Sequence, residues 1–256
     1  MRNTHGSFIW YELLTSDPDA AARFYGDVIG WRAENANQPG MDYRFFYAGH
    51  EGIAGHMKLP LEAADAGARP VWLGYIGVED VDETVAGIEA AGGRVQMPAM
   101  DIEGVGRMAM VADAQGIPFY VMRGFSDQPS TSFGNEPGHC AWNELSTSDQ
   151  DGALTFYTSL FGWEKGDAMP MGEMGDYQFI NLGGEMIGAI MRAPAEGPPP
   201  MWRYYFQVED IDASTASVTA GGGTVHHGPH EIPGGNFMII ASDPQGAMFG
   251  AVGPRK

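Results

Sequence analysis

Apolar residues at Ala21, Phe24, Tyr25 and Val28 fall at i, i+3, i+4 and i+7, the spacing of one face of an α-helix. Asp17-Pro18 supplies its start, with Asp as N-cap and Pro at the first helical position, and Gly30 its stop. Before it, Phe8–Leu14 is rich in β-formers. After it, Tyr43–Tyr47 and Gly52–Met57 read as a hairpin, and Val71–Val78 as a further strand. Asp80 caps a second helix with Glu83 at the capping-box position, and Gly92-Gly93 ends it. Two more strands follow, around Arg107–Val111 and Pro118–Met122. The order strand, helix, short strands thus occurs twice.

The whole pattern then repeats. Trp10–Trp31 (WYELLTSDPDAAARFYGDVIGW) and Trp142–Trp163 (WNELSTSDQDGALTFYTSLFGW) agree at 12 of 22 positions without a gap. Asp42-Tyr43 and Phe45 answer to Asp176-Tyr177 and Phe179, Trp72 with VEDVD to Trp202 with VEDID, and DAQG (113–116) to DPQG (243–246). The seam is 125–138, rich in Pro, Ser and Gly and without periodicity. Two domains are therefore expected, 1–124 and 139–256, joined by a linker and each made of two β-α-β-β-β modules. Within them, 59–70 and 193–200 read as loops.

Charge narrows the partners. The 256 residues carry 14 Lys+Arg against 33 Asp+Glu, a net charge of −19. That field repels phosphate backbones and anionic lipid, so the expected partner is a small molecule, with no nucleic acid and no membrane. A single Cys excludes an intrachain disulfide or a Cys-based zinc knuckle. The N-terminus lacks a signal-type apolar region, and no run approaches the roughly 18 apolar residues of a membrane span, so a cytoplasmic protein is expected.

The pattern TSD-x-D-x(4)-FY-x(4)-GW, the VED-φ-D helix start and the D-x-QG-x-x-F ending resemble the vicinal oxygen chelate (VOC) superfamily. That group includes glyoxalase I, bleomycin- and fosfomycin-resistance proteins and extradiol dioxygenases. The W-x-EL-x-TSD, PGG and DPQGA-x-F motifs are similar to those of tandem glyoxalase-like bacterial proteins. The resemblance implies an α+β fold, with four modules paired into two glyoxalase-like domains with curved mixed sheets. It also implies a metal site with one His, Gln or Glu ligand from each of four strands. Counting from the shared motifs places those positions at Trp10, Leu73 and Tyr120 in the first half, and at Trp142, Arg203 and Gly250 in the second. The remaining one falls on Gly55-His56-Met57 or on Ala189-Ile190-Met191. Trp, Leu and Gly offer no suitable donor atom and Arg is a cation. No metal and no cofactor are therefore expected, although His56 could occupy one position.

A carboxylate is nonetheless present in each half. Strand side chains alternate, so Glu12 shares the face of Trp10, and Glu144 that of Trp142. Such a carboxylate, unless paired, has the raised pKa that suits a general base. Glu12 and Glu144 are the candidate catalytic residues; satisfying buried donors is their structural alternative. Trp10, His56, Tyr75 and Tyr120, with Trp142, Arg203, Tyr205 and Gln207, are the candidate ligand-binding residues. Arg203 could pair with Glu144 or clamp an anion. Cys140 has Phe8 as its counterpart, which argues for packing. The run His226, His227 and His230 reads as solvated loop, with a pH-sensitive cavity edge as its functional alternative, and the glycine-rich 103–106 and 233–235 as tight turns or mobile loops over the cavities. The expected function is a glyoxalase-like protein acting on or binding a small carbonyl-bearing or aromatic metabolite, a lyase or isomerase if an enzyme. The alternative is a non-catalytic, ligand-sequestering protein of the antibiotic-resistance type. A monomer or a homodimer fits the duplication equally.

Overall fold

The computed structural model describes residues 2–37, 41–194 and 196–256. The first half runs β1 (Phe8–Thr15), α1 (Pro18–Ile29), β2 (Arg32–Asn35), β3 (Tyr43–Ala48), β4 (Glu51–Lys58), α2 (Leu61–Asp65), β5 (Val71–Gly77), α3 (Val81–Ala90), β6 (Arg94–Ile102), β7 (Gly106–Ala112) and β8 (Pro118–Gly124). The second runs β9 (Cys140–Thr147), α4 (Gln150–Phe161), β10 (Glu164–Pro170), β11 (Asp176–Leu182), β12 (Glu185–Arg192), β13 (Met201–Gln207), α5 (Ile211–Ala220), β14 (Thr224–Glu231), β15 (Phe237–Ser242) and β16 (Met248–Gly253). The expected helix signals act as read. The Asp17 side chain accepts from the Ala20 N–H and that of Asp149 from the Gly152 N–H; Gly30 and Gly162 end these helices at φ 91° and 67°. Asp80 accepts from the Glu83 N–H at the start of α3.

Each half forms one eight-stranded mixed sheet. The orders are β2-β3-β4-β1-β5-β8-β7-β6 and β10-β11-β12-β9-β13-β16-β15-β14. In the first, β1 is parallel to β4 and β5 to β8, and the hairpins are antiparallel. The fold is α+β, as expected. The four outermost strands, β2, β6, β10 and β14, have no hydrophobic run, because at a sheet edge their side chains are largely exposed. Within 59–70, expected as loop, α2 makes a short helix that buries no residue.

Packing divides the chain into two compact units, each drawn from both halves. One comprises 1–9, 74–130 and 143–202; the other comprises 10–73, 131–142 and 203–256. In the second of these, Tyr25 of α1 meets Phe46, Trp72 and Phe249 at centroid distances of 5.8, 5.3 and 5.3 Å. The Tyr25 hydroxyl accepts from the Trp72 indole N–H (2.8 Å) and donates to Asp243 (3.1 Å). The first unit repeats this knot: the Trp202 indole donates to the Tyr157 hydroxyl (3.0 Å), which donates to Asp113 (3.1 Å). Asp113 and Asp243 open the DAQG and DPQG motifs. Each also accepts the backbone N–H groups two and four residues on, turning its strand end. These contacts mark the helix-covered face of each sheet. Trp31 and Trp163 lie in the same layers, donating to the carbonyls of Gly138 and Gly6, so both are packing residues as read.

Candidate functional site

On β1, Trp10 faces away from the helices. Its indole N–H donates to the Tyr43 hydroxyl (3.0 Å) and its ring meets Phe45 edge-on, centroids 5.9 Å apart. Phe45 meets Tyr43 and Tyr47 in the same manner at 5.4 and 6.1 Å. All four rings are half-buried, an apolar surface that is neither core nor free in solvent. Glu12, two residues beyond Trp10, is 4% exposed and registers against Gly55 of β4. A Cβ at Gly55 would overlap the Tyr43 hydroxyl, so any larger residue there would displace that ring. Tyr43, Phe45 and Tyr47 were missed as candidates, yet their spacing of two, and the recurrence of the first pair as Tyr177 and Phe179, is legible in the sequence.

The second half varies this theme. Glu144, 6% exposed, registers against Ala189 and accepts a hydrogen bond from the Tyr177 hydroxyl (2.9 Å). Tyr177 meets Phe179 edge-on at 5.6 Å. Where the first half has Tyr47, the second has Asn181, so its aromatic row is one ring shorter. Trp142 is half-buried.

At the next strands the tyrosines pack where ligand side chains were sought. Tyr75 of β5 stacks on Tyr120 of β8, rings 4.3 Å apart and inclined 15°. Their counterparts are Tyr205 and Gly250, and the Tyr205 ring lies so close over Gly250 that a Cβ there would overlap it. Arg203 is 5% exposed and Gln207 half-buried on the same strand as Tyr205.

Other candidates lie apart. His56 is fully buried on the opposite face of β4 from Gly55, stacked on Phe46 with centroids 4.0 Å apart and planes inclined 16°. It belongs to the helix-covered layer, because β4 pairs in register with β1 and the residue sharing Glu12's face is Gly55. The run 226–230 is exposed edge strand, rather than the loop expected from its Pro and Gly, since β14 pairs with β15 despite two register shifts. Cys140 is fully buried, and burial pushes its thiol up to about 12, which fits packing. Of glycine-rich 103–106, residues 103–105 turn between β6 and β7 while Gly106 opens β7, and 233–235 turn between β14 and β15.

Comparison with known proteins places this geometry. The model of the "Glyoxalase/Bleomycin resistance protein/Dioxygenase superfamily" matches twice, over residues 7–121 and 137–250. The chain belongs to this superfamily. "Putative glyoxylase CFP32" of Mycobacterium tuberculosis is 35% identical over 96% of this chain and 94% of its own length. "Anthracycline biosynthesis protein DnrV" of Streptomyces peucetius is 29% identical over 96% and 93%. Among solved structures, the Mn(II)-bound glyoxalase of Novosphingobium aromaticivorans is similar with a TM-score of 0.65 at 17% identity, covering all of this chain and 83% of that one. The 2,3-dioxygenase LapB of Pseudomonas sp. KL28 gives 0.66 at 14%, covering 99% and 94%. These two likenesses concern the fold.

The superfamily's divalent ion is a poor fit to the residues present. At the ligand positions stand Trp10, Gly55, Leu73 and Tyr120, then Trp142, Ala189, Arg203 and Gly250. Tyrosine groups occupy the space over Gly55 and Gly250. Among the described residues, no three His, Cys, Asp or Glu side chains are grouped to hold an ion. Among the described residues no helix is long and apolar enough to cross a membrane.

Proposed function

We propose that this glyoxalase-like VOC protein binds a small aromatic, carbonyl-bearing metabolite on the helix-free faces of its sheets, using aromatic rings and a buried carboxylate in place of a divalent ion. The observation that carries the reading is the substitution at the ligand positions. At every ligand position except Tyr120 the residue present has no side-chain atom suited to a divalent ion, and Tyr43 and Tyr205 fill the space beside Gly55 and Gly250. Half-buried rings at right angles to one another, as at Trp10 and Phe45, suit a flat π-system, which gains edge and face contacts together. The names of the Streptomyces relatives add a chemical class, since anthracyclines are polycyclic aromatic ketones.

The Glu144–Tyr177 pair gives this reading a polar end. A ligand carbonyl beside it would take over the Tyr177 O–H that Glu144 now accepts, and the Glu144 carboxylate so released would take a proton from the adjacent carbon. The C–H electron pair would become the enolate double bond, the oxygen would gain the charge, and return of the proton at another carbon would complete an isomerisation.

Calorimetric titration with uncharged 1,4-dihydroxyanthraquinone, after extensive chelation, tests the proposal. Binding should survive chelation, and Trp10→Ala should weaken it about tenfold. Where a ligand is turned over, Glu144→Gln should abolish turnover with affinity nearly kept. Binding that vanishes with chelation and returns on adding Mn(II) or Fe(II) would overturn the metal-free reading.

A further inference from the structure

Beside the Tyr75–Tyr120 stack the first-half sheet carries a methionine-rich surface. Its registers align Met97 with Met110, Met110 with Tyr120 and Tyr120 with Tyr75, a single row across β6, β7, β8 and β5. The next row aligns Met100, Met108, Met122 and Gly77. Registered partners share a face, and residues two apart on a strand return to it, so both rows lie on one side of the sheet. That side is the helix-free one. The intervening Ala109, Val111, Phe119 and Val121 are fully or almost fully buried, and Phe119 packs on Tyr157 of α4. Met97, Met110 and Met122 are half-buried and Met100 is 47% exposed, whereas Met108, Tyr120 and Tyr75 are buried, at 6%, 6% and 4% exposure.

Neither row contains a charged side chain, in a protein of net charge −19. The charges of these strands fall on other positions: Arg107 pairs in register with Arg123 and Asp101, and is held by Asp82 of α3. The duplicate sheet lacks the surface, since the residues matching Met97, Met100 and Tyr120 are His227, His230 and Gly250. Duplication and the needs of the fold therefore do not by themselves produce the methionines.

We infer that Met97, Met110, Met122 and Met100 form a thioether platform for a flat, uncharged polycyclic aromatic ligand, backed by the buried Tyr75–Tyr120 stack. Methionine is flexible and polarisable, and its sulfur makes favourable contacts with aromatic rings, so a methionine row adapts to a π-face without demanding one outline. The parallel Tyr75 and Tyr120 rings, buried and stacked on each other, close the inner end of the row. Two strand spacings from β6 to β8 give the accessible methionines a span of about 10 Å, which suits a fused ring system better than a single ring. The absence of charge selects against ionised ligands, because the row cannot compensate their desolvation. The inference rests on the proposed function and narrows its ligand to uncharged fused aromatics in the first half.

Oxidation footprinting of the intact chain tests it. The protein is treated briefly with hydrogen peroxide, with and without saturating 1,4-dihydroxyanthraquinone, and sulfoxide is quantified by peptide mass spectrometry. Met97, Met110 and Met100 should be protected roughly fivefold, while the exposed Met41 and Met186 oxidise at unchanged rates. In calorimetry Met110→Glu should weaken binding about tenfold and Met110→Leu much less, because the first buries a charge against the ligand. Calorimetric binding without protection of the row overturns the platform and leaves the proposed function intact. Absence of binding altogether overturns both.

Discussion

His56 is out of keeping with its surroundings. It is fully buried against Phe46, neither ring nitrogen has a hydrogen-bond partner among the described residues, and its counterpart in the second half is the buried Ile190. Burial and the nearby Arg44 guanidinium, outweighing Asp42 and Asp19, push its imidazole down to about 4. In the unfolded chain a histidine takes its proton near 6.5. Between those values the unfolded state binds the extra proton, so stability is complete above about pH 6.5 and falls as pH drops toward 4. The loss attributable to this one group reaches about 3 kcal/mol at the acid end. His56→Ile should therefore raise the melting temperature at pH 7 and flatten its decline between pH 7 and 4.5. Thermal melts at matched pH values measure both, and parallel declines in the two proteins would refute the assignment. Sequence spacing brought His56 to within one residue of a ligand position, but only the pairing of β4 with β1 decides which of two adjacent residues faces which way.

At the scale of elements, the repeated DxQG motif is explained by what its aspartate holds. In one unit Tyr25, Trp72 and Asp243 form a buried hydrogen-bonded chain, and in the other Tyr157, Trp202 and Asp113 do the same. Burial pushes both aspartate carboxyls up, while the hydroxyl and backbone N–H groups partly offset it. Tyr25→Phe keeps the ring packing but removes the hydroxyl from Trp72 and Asp243 together. It should cost roughly 2–3 kcal/mol, since a buried charge-assisted bond is lost and an indole donor is left unmet. Tyr157→Phe should cost about the same; chemical denaturation of each variant reads the two values. The sequence marked FY, VED and DxQG as shared blocks without revealing that they meet, because the meeting joins residues more than 200 positions apart in one case. Helix starts and inner strands were legible, since capping residues and apolar runs act locally. The edge strands β2, β6, β10 and β14 were not, since a strand with one neighbour and mostly exposed side chains needs no apolar pattern.

At the scale of the molecule, covalent order and packing order differ. The family model matches 7–121 and 137–250 in tandem, and each sheet is built from one half. Each compact unit nevertheless combines stretches of both halves: α1 packs with α5 in one, and α3 with α4 in the other. A cut after residue 126, in the segment without helix or strand, would leave every unit containing pieces of both fragments. Tyr25 would still need Asp243 from the other piece, and Tyr157 would still need Asp113. Loop-closure entropy is what the cut forfeits, and it grows only slowly with loop length, whereas the buried aromatic contacts of each unit persist. Fragments 1–126 and 127–256 expressed together should therefore co-elute as one species and melt cooperatively. Either fragment alone should expose the apolar face of its helices and aggregate or self-associate. Two separately soluble fragments, each melting near the temperature of the intact chain, would show that the halves fold independently and that the units drawn from both are not the folding units of this protein.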